Sequence, residues 1–164
     1  MKILDATTLI AIFSEIKCPD LIDKILQLNH NLVIPYHVMN VELLDSTTVE
    51  ITKKLIHAKK LEVLNLNTNE EVIEFQKDFP GLGLGECDSL LTYQKTKNSG
   101  GTVYCILDDR QSRSKATELN VEFTGLIGLL RLLKERSIMT QKEIDDVVIR
   151  LRNSNFRLPA DVVI

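Results

Sequence analysis

The chain has 164 residues, 44% of them hydrophobic and 26% charged, with a formal net charge of −3. These values fit one domain with a sizeable core, and the acidic balance argues against a general nucleic-acid binder. No apolar run is long enough to span a bilayer, and Met1-Lys2-Ile3-Leu4-Asp5 turns acidic too soon for a signal peptide, so a cytoplasmic protein is expected.

Lys2-Ile3-Leu4-Asp5 reads as a short first strand ending in an acid. Leu9, Ile10 and Phe13 follow at helical spacing, and on its own Asp5 would simply cap that helix. Cys18-Pro19-Asp20 breaks the helix, Leu21, Ile22, Ile25, Leu26 and Leu28 line a second one, and Asn29-His30-Asn31 is a turn. Leu32-Val33-Ile34-Pro35 is a second buried strand stopped by proline. The next helix begins at Val38, with Val38, Val41 and Leu44 as its apolar stripe and Glu42 off that stripe. A lone helical Glu is ordinarily solvated, so Glu42 gains interest only with partners. Residues 46–60 form a polar helix with Val49, Leu55 and Ile56 on its buried edge, and Leu61 to Leu66 alternates as a strand with one exposed face.

Asn67 or Thr68 caps an amphipathic helix over 70–79. Pro80-Gly81-Leu82-Gly83-Leu84-Gly85 lacks the Gly-Lys-Ser/Thr of a phosphate-binding loop and is not the dinucleotide fingerprint. It reads as a turn that seats the next helix closely against the sheet. That helix opens with Glu86 and Asp88, acids that the helix dipole alone favours by about 0.3–1 kcal/mol. After the turn at Asn98-Ser99-Gly100-Gly101, Val103-Tyr104-Cys105-Ile106-Leu107 is an apolar run of the kind a doubly covered parallel sheet buries. It stops abruptly at Asp108-Asp109-Arg110, with Arg113 beyond. One Asp can cap the helix over 111–119, and Asp108 and Gln111 have capping-box spacing, but a cap uses only one acid of the pair. Residues 121–124 form a short last strand, 126–134 a strongly apolar helix and 140–153 an amphipathic one, and residues 156–163 dock the end.

Five strands alternating with helices predict a three-layer α/β/α fold with a central parallel sheet and right-handed crossovers. One domain over 1–164 is expected, with 126–164 as a helical appendage packed on it. Cys18, Cys87 and Cys105 form no CxxC pair and read as reduced packing residues, and His30, His37 and His57 lack partners at zinc-ligand spacing. Charge is unevenly spread. Residues 1–109 carry 10 Lys, no Arg and 16 Asp or Glu, and residues 110–164 carry 7 Arg, 3 Lys and 7 Asp or Glu. Arginine suits bidentate phosphate contacts, although for any single one a solvated helix face is the better reading.

Acids recur at comparable places. Asp5 and Asp108-Asp109 follow strands, and Glu42 and Asp88 lie early in helices that could reach the same sheet edge. In open α/β sheets ligands sit outside the carboxyl ends of the strands. Clustered carboxylates are tolerable if one is protonated or a divalent cation sits among them, and an all-oxygen set suits Mg²⁺ or Mn²⁺. With arginines at the rim, the residues point to metal-dependent phosphodiester hydrolysis.

The ordered set of motifs resembles the PIN-domain family, of the kind found in VapC-type toxins. Ile3-Leu4-Asp5-Ala6-Thr7-Thr8-Leu9 is similar to the family opening, which implies Asp5 as first metal ligand and Thr7 as its support. Ile34-Pro35-Tyr36-His37-Val38-Met39-Asn40-Val41-Glu42-Leu43 resembles the strand-Pro-helix element, which implies Glu42. Leu84-Gly85-Glu86-Cys87-Asp88-Ser89 and Leu107-Asp108-Asp109-Arg110-Gln111-Ser112-Arg113 resemble one subgroup with Gly-Glu and Asp-Asp-Arg-x-x-Arg elements. In that resemblance Asp88 takes the third acidic position with Glu86 in support, and Asp109 the fourth, with Asp108 as the alternate. The family pattern has Ser or Thr just before its fourth acid, where Leu107-Asp108 stands here. Segments like Thr124-Gly125-Leu126 and Phe156-Arg157-Leu158 extend the likeness over nearly the whole chain.

The resemblance implies an endoribonuclease using Mg²⁺ or Mn²⁺, with RNA phosphates held by Arg110, Arg113 and Lys115. It implies a toxin role with a small antitoxin partner, and a homodimer. Two other readings remain open from the residues. One is a non-catalytic binding module that keeps the acidic pocket. The other is a receiver-like phosphoacceptor, disfavoured because Thr124-Gly125 follows the last strand where a Lys is wanted.

Overall fold

The computed structural model describes residues 1–28 and 31–158. The expected turn residues Asn29 and His30 and the end of the chain from Pro159 lie outside the described residues. Strands β1 (Lys2–Leu4), β2 (Leu32–Pro35), β3 (Glu62–Leu64), β4 (Tyr104–Ile106) and β5 (Phe123–Thr124) form one sheet in the order β3-β2-β1-β4-β5. Every neighbouring pair is parallel. All five strands fall where the apolar runs place them, and the fold is three-layered α/β/α.

Alternation along the strands divides the core, since successive side chains leave opposite faces. Ile3, Val33, Cys105 and Leu107 turn to one face, under α4 (Asn69–Asp78), α5 (Leu84–Asn98) and α6 (Arg110–Glu118). Leu4, Leu32, Ile34 and Ile106 turn to the other, under α1 (Ala6–Ile10), α2 (Leu21–Leu26), α3 (Ser46–His57), α7 (Leu126–Glu135) and α8 (Gln141–Arg152). Each fully buried Leu or Ile contributes about 1.5–3 kcal/mol relative to exposure. Helices α7 and α8, expected as an appendage, place Leu126, Leu129, Leu130, Leu133, Ile144 and Leu151 in the same apolar cluster as Leu4 and Ile12. No helix among the described residues is long and apolar enough to cross a membrane.

Two helices differ from the expected α form. After α1 the chain continues as a π-helical segment, Ala11–Glu15, and the helix expected from Val38 is a π-helical turn, Val38–Glu42. Its closing bond runs from Leu43 N to Val38 O at 3.0 Å, five residues back rather than four. The change of winding changes the buried face. Val38, Met39 and Leu43 are buried, while Val41 and Leu44 of the expected stripe are 42% and 84% exposed.

The strand order positions the site. The chain moves from β1 outward through β2 and β3, then returns to the other side of β1 for β4 and β5. The reversal lies between β1 and β4, and crevices form at such switch points. Leu4 pairs with Ile106, so Asp5 and the Asp108-Asp109 pair leave the sheet side by side.

Candidate functional site

Asp5 is the N-cap of α1, with an extended backbone, and its Oδ1 accepts a hydrogen bond from Thr8 N at 2.8 Å. The side chain is only 1% exposed, and Oδ2 has no hydrogen-bond partner. Thr8 Oγ1 donates to Asp108 Oδ2 at 2.7 Å and so ties the two strand-end acids together. Asp108 Oδ1 accepts from Leu126 N at 2.9 Å, at the start of α7. Gly125 permits that approach, because a Cβ there would stand 2.7 Å from Asp108 Oδ1.

Glu42 and Glu86 form the facing group. Glu42 Oε1 accepts from Gly85 N at 2.8 Å. A Cβ on Gly83 or Gly85 would lie 2.2 or 2.3 Å from a Glu42 carboxylate oxygen, so the glycines leave room for this side chain. Glu86 accepts from Gly83 N at 2.6 Å and from the Ser112 hydroxyl. That hydroxyl also lies 3.2 Å from Asp109 Oδ2, which caps α6 by accepting from Ser112 N at 2.8 Å. The cap of α6 is therefore Asp109, and the Asp108–Gln111 capping box does not form.

Burial opposes the ionisation of three of these acids, Asp5, Glu42 and Asp108. Burial pushes the Asp5 carboxyl up to about 8, with the Asp108 and Glu86 charges adding to the rise and the Thr8 N–H opposing it. Burial also raises Glu42, opposed by the Gly85 N–H and reinforced by the Glu86 charge. Asp108 is raised by burial against the pull of the Leu126 N–H, the Thr8 hydroxyl and the Arg113 charge.

A family model described as a PIN domain matches residues 1–164. The chain belongs to the PIN-domain family. No curated protein and no solved structure matches it. PIN domains are in general nucleases, so this is a nuclease-type domain.

The PIN domain brings Asp5 within electrostatic reach of both Asp108 and Glu86, and Glu42 within reach of Glu86. Asp88 is engaged elsewhere. Its Oδ2 accepts from His37 N at 3.0 Å and pairs with His37 Nδ1 at 2.9 Å, and its Oδ1 accepts from Asn67 Nδ2 at 2.7 Å and Thr92 Oγ1 at 3.4 Å. Thr7 is exposed on the cleft wall, and the link between the acids runs through Thr8 instead. Thr8 and Ser112 escaped the sequence reading, although each stands three residues after an Asp, the spacing of a capped backbone N–H. His37 left no sequence signal of its own, and Asn67 read only as a candidate cap for α4, a role that Thr68 fills.

A cleft of about 720 Å³ opens beside Asp108 and Asp109, lined by Thr7, Ile10, Arg110, Arg113, Phe156 and Arg157 among others. A second, of about 360 Å³, shares Asp108, Arg113, Phe156 and Arg157 with it. Lys115 lines neither: its Nζ pairs with Glu118 at 2.6 Å and lies 5.4 Å from the Phe79 ring centroid.

The PIN domain's donors fit a hard divalent cation. All are carboxylate oxygens, three of the acids are held toward protonation by burial, and one buried oxygen, Asp5 Oδ2, has no partner. Among the described residues no group of three His, Cys, Asp or Glu side chains is already placed to share one ion.

Proposed function

We propose that this PIN domain is a Mg²⁺- or Mn²⁺-dependent endoribonuclease. The observation that carries the reading is the unpartnered, buried Asp5 Oδ2 among the clustered acids Asp108, Glu42 and Glu86, beside an arginine-lined cleft. Asp5 and Asp108, tied by Thr8, would hold the ion together with Glu42 and Glu86, and Asp109 stands next to them through Ser112. When bound, the ion supplies a water activated at neutral pH and neutralises charge developing on the phosphodiester.

Glu86 takes the third acidic position in this reading. Asp88 is left out because an ionised carboxylate offers about four acceptor sites, and all four are used. Arg110 and Arg113 hold phosphates along the cleft, and Ile10 and Phe156 offer apolar surface to bases. Lys115 is not in the phosphate set, being turned to Glu118. The preference for RNA, the toxin role, the antitoxin partner and the homodimer rest on the family resemblance. A short reading frame beside the gene, encoding a protein that blocks the acidic pocket, is the check on the toxin role.

The test is incubation of a mixed RNA pool with the protein and Mg²⁺ or Mn²⁺, beside Asp5→Asn and a chelated control. Metal-dependent cuts that vanish in the variant and with chelator are expected. A folded, Mn²⁺-binding wild type that leaves the pool intact would make the domain a binding module instead.

A further inference from the structure

We propose that Asp88 is a positioning residue: its carboxylate, held on one side by Asn67, clamps the Glu42-bearing turn onto α5 through His37 and so sets Glu42 against Glu86. This inference rests on the metal-centre reading above. His37 immediately precedes the π-helical turn and Glu42 closes it. At one end of the turn the His37 N–H and Nδ1 meet Asp88 Oδ2, and at the other Glu42 Oε1 meets Gly85 N. The turn is thus pinned to α5 at both ends, three residues apart on the helix.

A third element joins the same carboxylate. Asn67, in the loop between β3 and α4, donates to Asp88 Oδ1 at 2.7 Å and to Thr92 Oγ1 at 2.9 Å. Asn69 Oδ1 lies 3.1 Å from His37 Nε2 and fixes the far side of the ring. Asp88, His37 and Asn67 are 1%, 3% and 3% exposed, so water offers no substitute partner. Residues two apart on a helix do not share a face, so Asp88 holds the buried side of α5 while Glu86 points to the acids. Groups that orient metal ligands in this way alter metal affinity about 10–100-fold when removed, without abolishing it.

Mn²⁺ binding measured by calorimetry on the metal-free protein separates the roles. Glu86→Gln is expected to abolish binding. Asp88→Asn and His37→Gln are each expected to weaken it about 10–100-fold, and the double variant no further than the weaker single one, because both act through one connection. Where Asp88→Asn does not fold, Asn67→Ala frees the other oxygen of the Asp88 carboxylate, loosens the clamp without cutting it, and is expected to weaken binding without abolishing it. Abolition by Asp88→Asn, unchanged affinity, or single losses that multiply in the double variant would each overturn the proposal. A wild type that binds no Mn²⁺ removes the metal-centre reading. The clamp is then judged by urea unfolding of the wild type, Asp88→Asn, His37→Gln and their double variant, where strongly coupled losses support it and additive losses overturn it.

Discussion

Asp5 serves two ends of its carboxylate differently. Oδ1 caps α1, while burial and the neighbouring acids oppose the charge that Oδ2 must share. An acid raised from 3.8 to about 8 binds its proton more tightly in the folded state. Its contribution to stability is therefore full below about pH 4 and is lost as pH rises toward 8. Asp5→Asn keeps an oxygen for the cap and removes the charge. Urea unfolding of the metal-free variant is expected to show a flatter pH profile. At pH 8 it should be more stable than the wild type by on the order of 2–5 kcal/mol. The same variant should gain nothing from Mn²⁺. Asp5 and Glu42 were legible because their flanking strand and Pro35 patterns are local. The family resemblance put Asp88 in the third acidic position with Glu86 in support, and the proposal exchanges them, since both open the same helix and spacing alone does not separate them. The choice lies with His37 and Asn67, which reach Asp88 from other elements. Asp108 and Asp109 read as a pair and divide only in three dimensions, one toward Thr8 and one to the α6 cap.

At the scale of elements, the turn Val38–Glu42 and the start of α5 form a single fitted joint. Gly85→Ala would put a Cβ 2.3 Å from Glu42 Oε2 and 3.0 Å from the Val38 Cα, which is backbone and yields little. A loss of about 1–3 kcal/mol in chemical unfolding is expected, together with weaker Mn²⁺ binding. At Gly83 the nearest contact is only the tip of Glu42, so Gly83→Ala should disturb the metal centre at a smaller cost in stability. The strands were readable because burial on both faces leaves uninterrupted apolar runs in the sequence. The π winding was not, since it differs from an α-helix by one residue of hydrogen-bond register. Val41 shows the result, a hydrophobic residue at helical spacing that the actual winding turns outward, while Leu44 lies beyond the end of the turn.

Over the whole molecule, charge and shape agree. All arginines lie beyond Asp109 in the sequence, and Arg110, Arg113 and Arg157 line the main cleft beside the acids. Removing one phosphate contact lowers the salt dependence of single-strand binding by about 0.7 in the slope of log K against log salt. Arg113→Ala, measured by anisotropy with labelled RNA in chelator, is expected to show that loss and to weaken different sequences alike. An unchanged slope would take Arg113 out of the phosphate set.

The parallel pairing of β1 with β4 joins residues about a hundred positions apart, and Asp108 is further anchored by Leu126 N. A nascent chain therefore carries Asp5 long before it can complete the cluster. At about 5–20 residues per second, that interval is on the order of ten seconds. During it the growing polypeptide carries its acids still apart, so the order of synthesis itself delays assembly of the cluster.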